Sequence, residues 1–245
     1  MGKDSSKVGV LRQAYANAKL TLEQRDPGIV VNDERTAAAS GKRNITMSAS
    51  YLRVEKLLDP NITQYPFQII SGVNQQVYPT EQLLTLQDVF FAARVGFYVI
   101  LERSAAGREE FGNQLMTFPN PQIYGATGLD LNRMVGLWNN GELRLTINNK
   151  VITPAWALKK HLVVPERQVN TMAWPNGDGF FNEIDLDEDG MSAVEPNWIF
   201  NGGSNIDLQI NYPTSLTTYG IGANRFRLVI YYDGFLAQNA SSIMK

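Results

Sequence analysis

The chain has no cysteine and a single histidine, His161, among its 245 residues. The first absence excludes a disulfide framework, a thiolate zinc site, an iron–sulfur cluster and a cysteine nucleophile. The second excludes a multi-histidine metal centre. Charge is scarce as well: Asp, Glu, Lys and Arg make up 19% of the residues, below the usual quarter. Long hydrophobic runs are lacking. The most apolar stretch, 89–101 (VFFAARVGFYVIL), carries Arg94 in its middle and is too short to cross about 30 Å of hydrocarbon. No segment reads as a signal peptide. Neither G-x-x-x-x-G-K nor G-x-G-x-x-G follows a strand pattern, which disfavours nucleotide chemistry.

What is present is a globular composition, 44% hydrophobic, with an unusual polar remainder. The 21 Asn and 13 Gln together outnumber the 22 Lys and Arg, so amides wet much of the surface. A net charge of −2 argues against a general nucleic-acid binder, which shows a basic footprint. The charge is uneven, however. Residues 1–50 hold 8 Lys and Arg against 5 Asp and Glu, a balance of +3, and residues 51–245 hold 14 against 19, a balance of −5.

That division coincides with a change of pattern. In residues 10–25, Val10-Leu11, Ala14-Tyr15, Ala18 and Leu22 recur at three- and four-residue spacing, which predicts a short amphipathic helix. It stops at Asp26-Pro27-Gly28. Residues 32–50 are small and polar, so the helix must dock on the body or on another subunit. Residues 1–50 therefore read as a partly helical N-terminal arm and 51–245 as a body.

The body reads as strands. Leu143, Leu145 and Ile147 alternate with polar residues after Asn139-Asn140-Gly141, a strong hairpin signal, and Asn148-Asn149 forms a second turn. Residues 133–153 thus predict a three-strand meander. Phe226, Leu228, Ile230 and Tyr232 alternate in a strand that stops at Asp233-Gly234, and 67–71, 95–102, 161–165 and 206–212 are further candidates. A helix starting at Thr80 is the one helical expectation for 80–93. Long loops rich in Gly, Pro and Asn separate the strands. No fixed repeat is visible. Strands without intervening helices mean an all-β, antiparallel sandwich or barrel with Greek-key connections.

Four constellations bear on chemistry. Asp185, Asp187 and Asp189 before Gly190 match the front half of a calcium loop, whose alternate carboxylates point inward. Position twelve is Pro196 instead of a bidentate carboxylate. Glu195, one residue early, or Glu183 then completes a simpler calcium-binding surface loop; otherwise the segment is an acidic solvated loop. His161 follows Lys159-Lys160 with no G-x-S-x-G elbow to supply a nucleophile, so it reads as structural. Glu102 and Glu142 stand beside strands and are the candidate carboxylate pair of a glycosidase. Trp138, Trp156, Trp174 and Trp198 either stack on sugar or anchor long loops to the core.

Three stretches together carry a resemblance: 137–147 (LWNNGELRLTI), the segment from Pro154-Ala155-Trp156 to Val164-Pro165-Glu166-Arg167-Gln168, and 225–235 (RFRLVIYYDGF). Their style is similar to jelly-roll virion proteins of bacterial viruses, over about residues 90–236. The resemblance concerns strand style and order, and no catalytic or binding motif defines that family. It implies a capsid or capsid-associated subunit in the virion, assembled in the host cytoplasm, whose arm reaches neighbouring subunits. Its implied partners are further copies of itself and other virion proteins, with packaged genome or lipid as contacts of the basic arm. No enzyme activity, small-molecule substrate or cofactor is expected, beyond structural calcium at Asp185, Asp187, Asp189 and Glu195. The 10 Tyr, 11 Phe, 7 Met and 4 Trp suit an interface-rich protein. The alternatives are a lectin-like carbohydrate-binding sandwich using the Asp185–Asp189 loop with Trp174 or Trp198, and a β-sandwich glycosidase.

Overall fold

The structure, a computed structural model, describes residues 7–72, 78–102, 115–119, 130–163, 190–219 and 225–244. The chain opens with α1 (Lys7–Arg25), β1 (Ile29–Val31), α2 (Glu34–Ser40) and β2 (Arg43–Ile45). The body follows as β3 (Met47–Leu57), β4 (Gln64–Phe67), β5 (Val89–Glu102), the one-turn helices α3 (Leu131–Met134) and α4 (Gly136–Asn139), β6 (Glu142–Ile147), β7 (Lys150–Ala157), β8 (Met191–Asn201), β9 (Ile206–Asn211) and β10 (Arg225–Ala237).

Among the described residues eight strands form two four-stranded sheets, ordered β3-β10-β5-β8 and β4-β9-β6-β7, and every neighbouring pair is antiparallel. The fold is a β-sandwich, as the alternating strands predict. The pairings nest: β3 with β10, β4 with β9, β5 with β8, and β6 with β7. Two cross-pairings, β10 with β5 and β9 with β6, close the sheets.

The core lies between the sheets. Leu52, Val54, Phe90, Phe97, Val99, Leu228, Ile230 and Tyr232 come from one side, and Tyr65, Phe67, Leu143, Leu145, Leu208 and Ile210 from the other. Met134, Leu137 and Trp138 on α3 and α4 add to this cluster, and Trp138 stands edge-on to Phe97 at 6.0 Å. A bulge in β5 between Ala92 and Arg94 lets Ala92 and Val95, three residues apart, both join the core.

A third layer covers the outer face of the first sheet. Ala14, Ala18 and Leu22 of α1 sit on Val89, Phe91, Ala93, Phe235 and Ala237, joined by Ile29, Val31 and Ile45. The Tyr15 ring meets Phe235 edge-on at 5.3 Å. Small residues at 14 and 18 let the helix approach the sheet closely. The fully buried Leu22 contributes about 1.5–3 kcal/mol of apolar burial. Residues after α1 form the parallel pair β1-β2, and α2 between them is capped by Asp33 and ends on Gly41 at φ 67°.

Three local expectations give way to tertiary pairing. No helix forms at 80–93: Gln82 bridges to Arg53, Leu84 bridges to Ile70, and Val89 opens β5. Aromatic and β-branched residues there find strands on both sides, and pairing outweighs the weak helical signal. The meander at 133–153 loses its first strand to α3 and α4, because Met134, Leu137 and Trp138 close one end of the core. Asn140-Gly141 is therefore a helix exit and not a hairpin. Gly141 is needed for space, since a Cβ there would stand 2.5 Å from Leu158 Cδ1 and 2.9 Å from Leu137 O. The β6–β7 hairpin turns at Asn148-Asn149, both at positive φ (49° and 63°). In place of a strand at 161–165, residues Leu158–His161 form a 3₁₀ turn, and 164–165 lie outside the described residues.

Candidate functional site

The residues singled out in the sequence fall in four places. Asp185, Asp187, Asp189, Glu183 and Trp174 lie outside the described residues. Glu195 is on β8, the edge strand of its sheet among the described residues, with its side chain exposed. Among the described residues no three His, Asp or Glu side chains gather as a metal-binding group. Glu102 ends β5 and Glu142 opens β6, so the two stand on different sheets. Glu142 is exposed next to buried Leu143, which puts it on the outward face.

Two of the tryptophans, Trp156 and Trp198, meet the histidine's surroundings where β7 and β8, the edge strands of the two sheets among the described residues, come together. Trp156 meets Trp198 edge-on at 5.4 Å, and Trp198 meets Tyr232 at 6.2 Å. Trp156 Nε1–H donates to His161 Nε2 at 2.9 Å, and His161 Nδ1 lies 2.7 Å from the Gly190 carbonyl oxygen. Indole is only a donor and a carbonyl only an acceptor, so the imidazole must be neutral with its proton on Nδ1. Burial pulls its pKa down to about 4, and the nearby Lys160 ammonium adds to the effect against the favourable Gly190 bond. Lys160 Nζ sits 3.9 Å from the centre of the Trp156 ring. Trp198 is 6% exposed and Trp138 fully buried, so these two anchor the core. Both ring nitrogens of the histidine are thus taken up by contacts within the fold.

A buried charge cluster leaves no local mark in the sequence. The Glu55 carboxylate lies between two guanidiniums, 2.6 Å from Arg227 Nη1 and 2.7 Å from Arg53 Nε. Thr80 donates to the same carboxylate, and the Tyr78 ring lies 5.0 Å from the Arg227 guanidinium. Glu81 accepts from the Glu55 and Tyr78 backbone N–H groups, and burial raises its pKa. The cluster fastens residues 78–82 across the β3 edge. Arg227 alternates with core residues in the sequence and so resembles an exposed strand residue; among the described residues Tyr78 and Thr80 of the returning segment lie against it.

Two surface features remain. Pro66, Gln68, Ile70, Thr146, Ser204 and Asp207 help line a groove of about 600 Å³ beside the β6–β7 turn. Large apolar side chains stand in solvent at Val151 (51%) and Ile152 (43%) on β7, Leu86 (62%), and Val8 and Leu20 (54% each) on α1. No helix among the described residues is long and apolar enough to cross a membrane. No protein-family model matches the chain, and no curated protein matches it.

Proposed function

We propose that the chain is a virion structural subunit, a jelly roll that assembles with copies of itself and with other virion proteins in the host cytoplasm. The observation that carries this reading is the nested strand pairing. Eight strands pairing first with eighth, second with seventh, third with sixth and fourth with fifth describe one long antiparallel ribbon. Rolling that ribbon brings the eighth strand beside the third and the seventh beside the fourth, which are the two cross-pairings present. That rolled ribbon is the jelly roll of many capsid domains. Exposed apolar side chains on α1 and β7 supply surface for neighbours to cover. In this reading the N-terminal layer stays on its own body through Ala14, Ala18 and Leu22. It contacts neighbours through its outward side, and its basic residues face genome or lipid. The subunit performs no catalytic step.

Lectin domains use the same roll, and the polar groove beside the β6–β7 turn favours that second reading. Light scattering and negative-stain microscopy of the purified chain separate the two. Capsomers or closed shells are expected, and the double substitution Val8→Glu with Leu20→Glu should reduce assembly while leaving the melting temperature within a few degrees. A stable monomer that binds glycan would overturn the virion reading.

A further inference from the structure

We propose that His161 is an acid-released staple between the two sheets. As the neutral imidazole it ties the end of β7 to the start of β8, and once protonated it lets Trp156 go. The inference stands on the fold alone and is independent of what the chain assembles into.

The geometry leaves little freedom. Both ring nitrogens are committed, Nε2 as acceptor from the Trp156 indole and Nδ1 as donor to the Gly190 carbonyl. Trp156 belongs to the sheet β4-β9-β6-β7 and Gly190 immediately precedes β8 of the other sheet. The imidazole is 1% exposed, so water cannot replace a lost partner. The Gly190 end is rigidly placed: its φ is +84°, and a Cβ there would stand 2.6 Å from Thr117 Cγ2. Protonation at Nε2 would turn two N–H donors toward each other across 2.9 Å. The bond to Trp156 must break, whereas the bond to Gly190 survives as a donation from Nδ1. Release is therefore one-sided, and it frees the indole and the β7 end.

The 3₁₀ turn carrying His161 packs against α4, β5 and β8. Among the described residues on these elements and on the turn itself, Lys160 is the charged group that bears on the imidazole, and its positive charge opposes protonation. Burial has the same sign. A pKa near 4 means that the native ring holds a proton about 300-fold more weakly than a free imidazole. Because folding holds the ring's pKa below its ordinary value, its contribution to stability is lost on the acid side. The staple is intact above about pH 6.5, loses ground to proton-binding open forms below it, and is gone as pH passes through about 4.

The sole histidine makes the test clean, because its ring protons give one set of resonances. Imidazole and indole N–H spectra are recorded from pH 7.5 to 3.5 on the full chain. The His161 ring should titrate near pH 4, and one indole N–H, assigned to Trp156 by its loss in Trp156→Phe, should move with the same midpoint. The Trp138 indole N–H, carried by α4 and buried in the core, should not move. His161→Gln offers one acceptor and one donor without a titratable proton, so it should keep the indole shift and abolish the acid transition. Titration of His161 near its ordinary pKa would overturn the proposal. So would simultaneous loss of all indole signals, which is global unfolding, or an unchanged transition in His161→Gln. If that variant does not fold, the wild-type ring and indole midpoints decide by whether they coincide.

Discussion

The sheet β3-β10-β5-β8 is covered on both faces, by the sandwich core and by the N-terminal layer with residues 78–82. The sheet β4-β9-β6-β7 has one face in the core and one in water. The difference governs how each tolerates polar residues. On the open face Glu142, Arg144 and Asp207 are exposed and need no partner to remain solvated. On the covered face Arg227 and Glu55 are 0% and 5% exposed and must meet each other. It also governs the sequence pattern. Strands β6 (ELRLTI) and β9 (IDLQIN) alternate, whereas β5 (VFFAARVGFYVILE) runs apolar through both faces.

Substitutions can break this contrast, and their costs should fall in order. The largest belongs to the shared core: Phe97→Ala removes a buried ring packed on Trp138 and should cost about 4 kcal/mol, read from the denaturant midpoint at constant m. Next is Arg227→Met, which keeps the volume but strips Glu55 of one cation; a loss of about 3 kcal/mol is expected. A loss below about 0.5 kcal/mol would mean that the outer face is as wet as that of the other sheet. The smallest is Arg144→Ala on the open face, for which the midpoint should move by less than about 0.5 kcal/mol equivalent. A larger cost there would mean that this face is covered in solution and that the contrast between the sheets does not hold.

Much of the sandwich was legible because single-sided burial writes itself into period-two patterns. Strands stand where alternation places them at 143–147 and within 206–212. The one beginning at Arg225 does not stop at Asp233-Gly234 but runs on to Ala237 with a shift of register there. The helix expected over 10–25 is present from Lys7 to Arg25. The failures cluster where two neighbours compete for one segment. Residues 80–93 look helical until β3 and the β4 end take up Gln82 and Leu84. Asn140-Gly141 carries the stronger hairpin signal, but Asn148-Asn149 makes the hairpin, because Trp138 and Leu137 are held in the core as a helix. Of the candidate site, His161 was visible as an unpartnered histidine. Its two hydrogen bonds were not, since Gly190 lies 29 residues away. The Glu55–Arg227 pair spans 172 residues and left no local mark.

Local pattern is enough to set the fold class. Period-two alternation demands half-buried strands, turn residues interrupt them, and the lack of cysteine and of all but one histidine removes whole chemistries. The sequence also marks the first fifty residues as different. Where that difference leads is a matter of packing: a helix lies over the outer face of a sheet that would otherwise expose Phe91 and Phe235. Packing likewise decides which charges are buried and which nitrogen of His161 carries the proton. Pairing across the chain is a property of strand ends meeting in space, and nothing in a local pattern encodes which strand will be its neighbour.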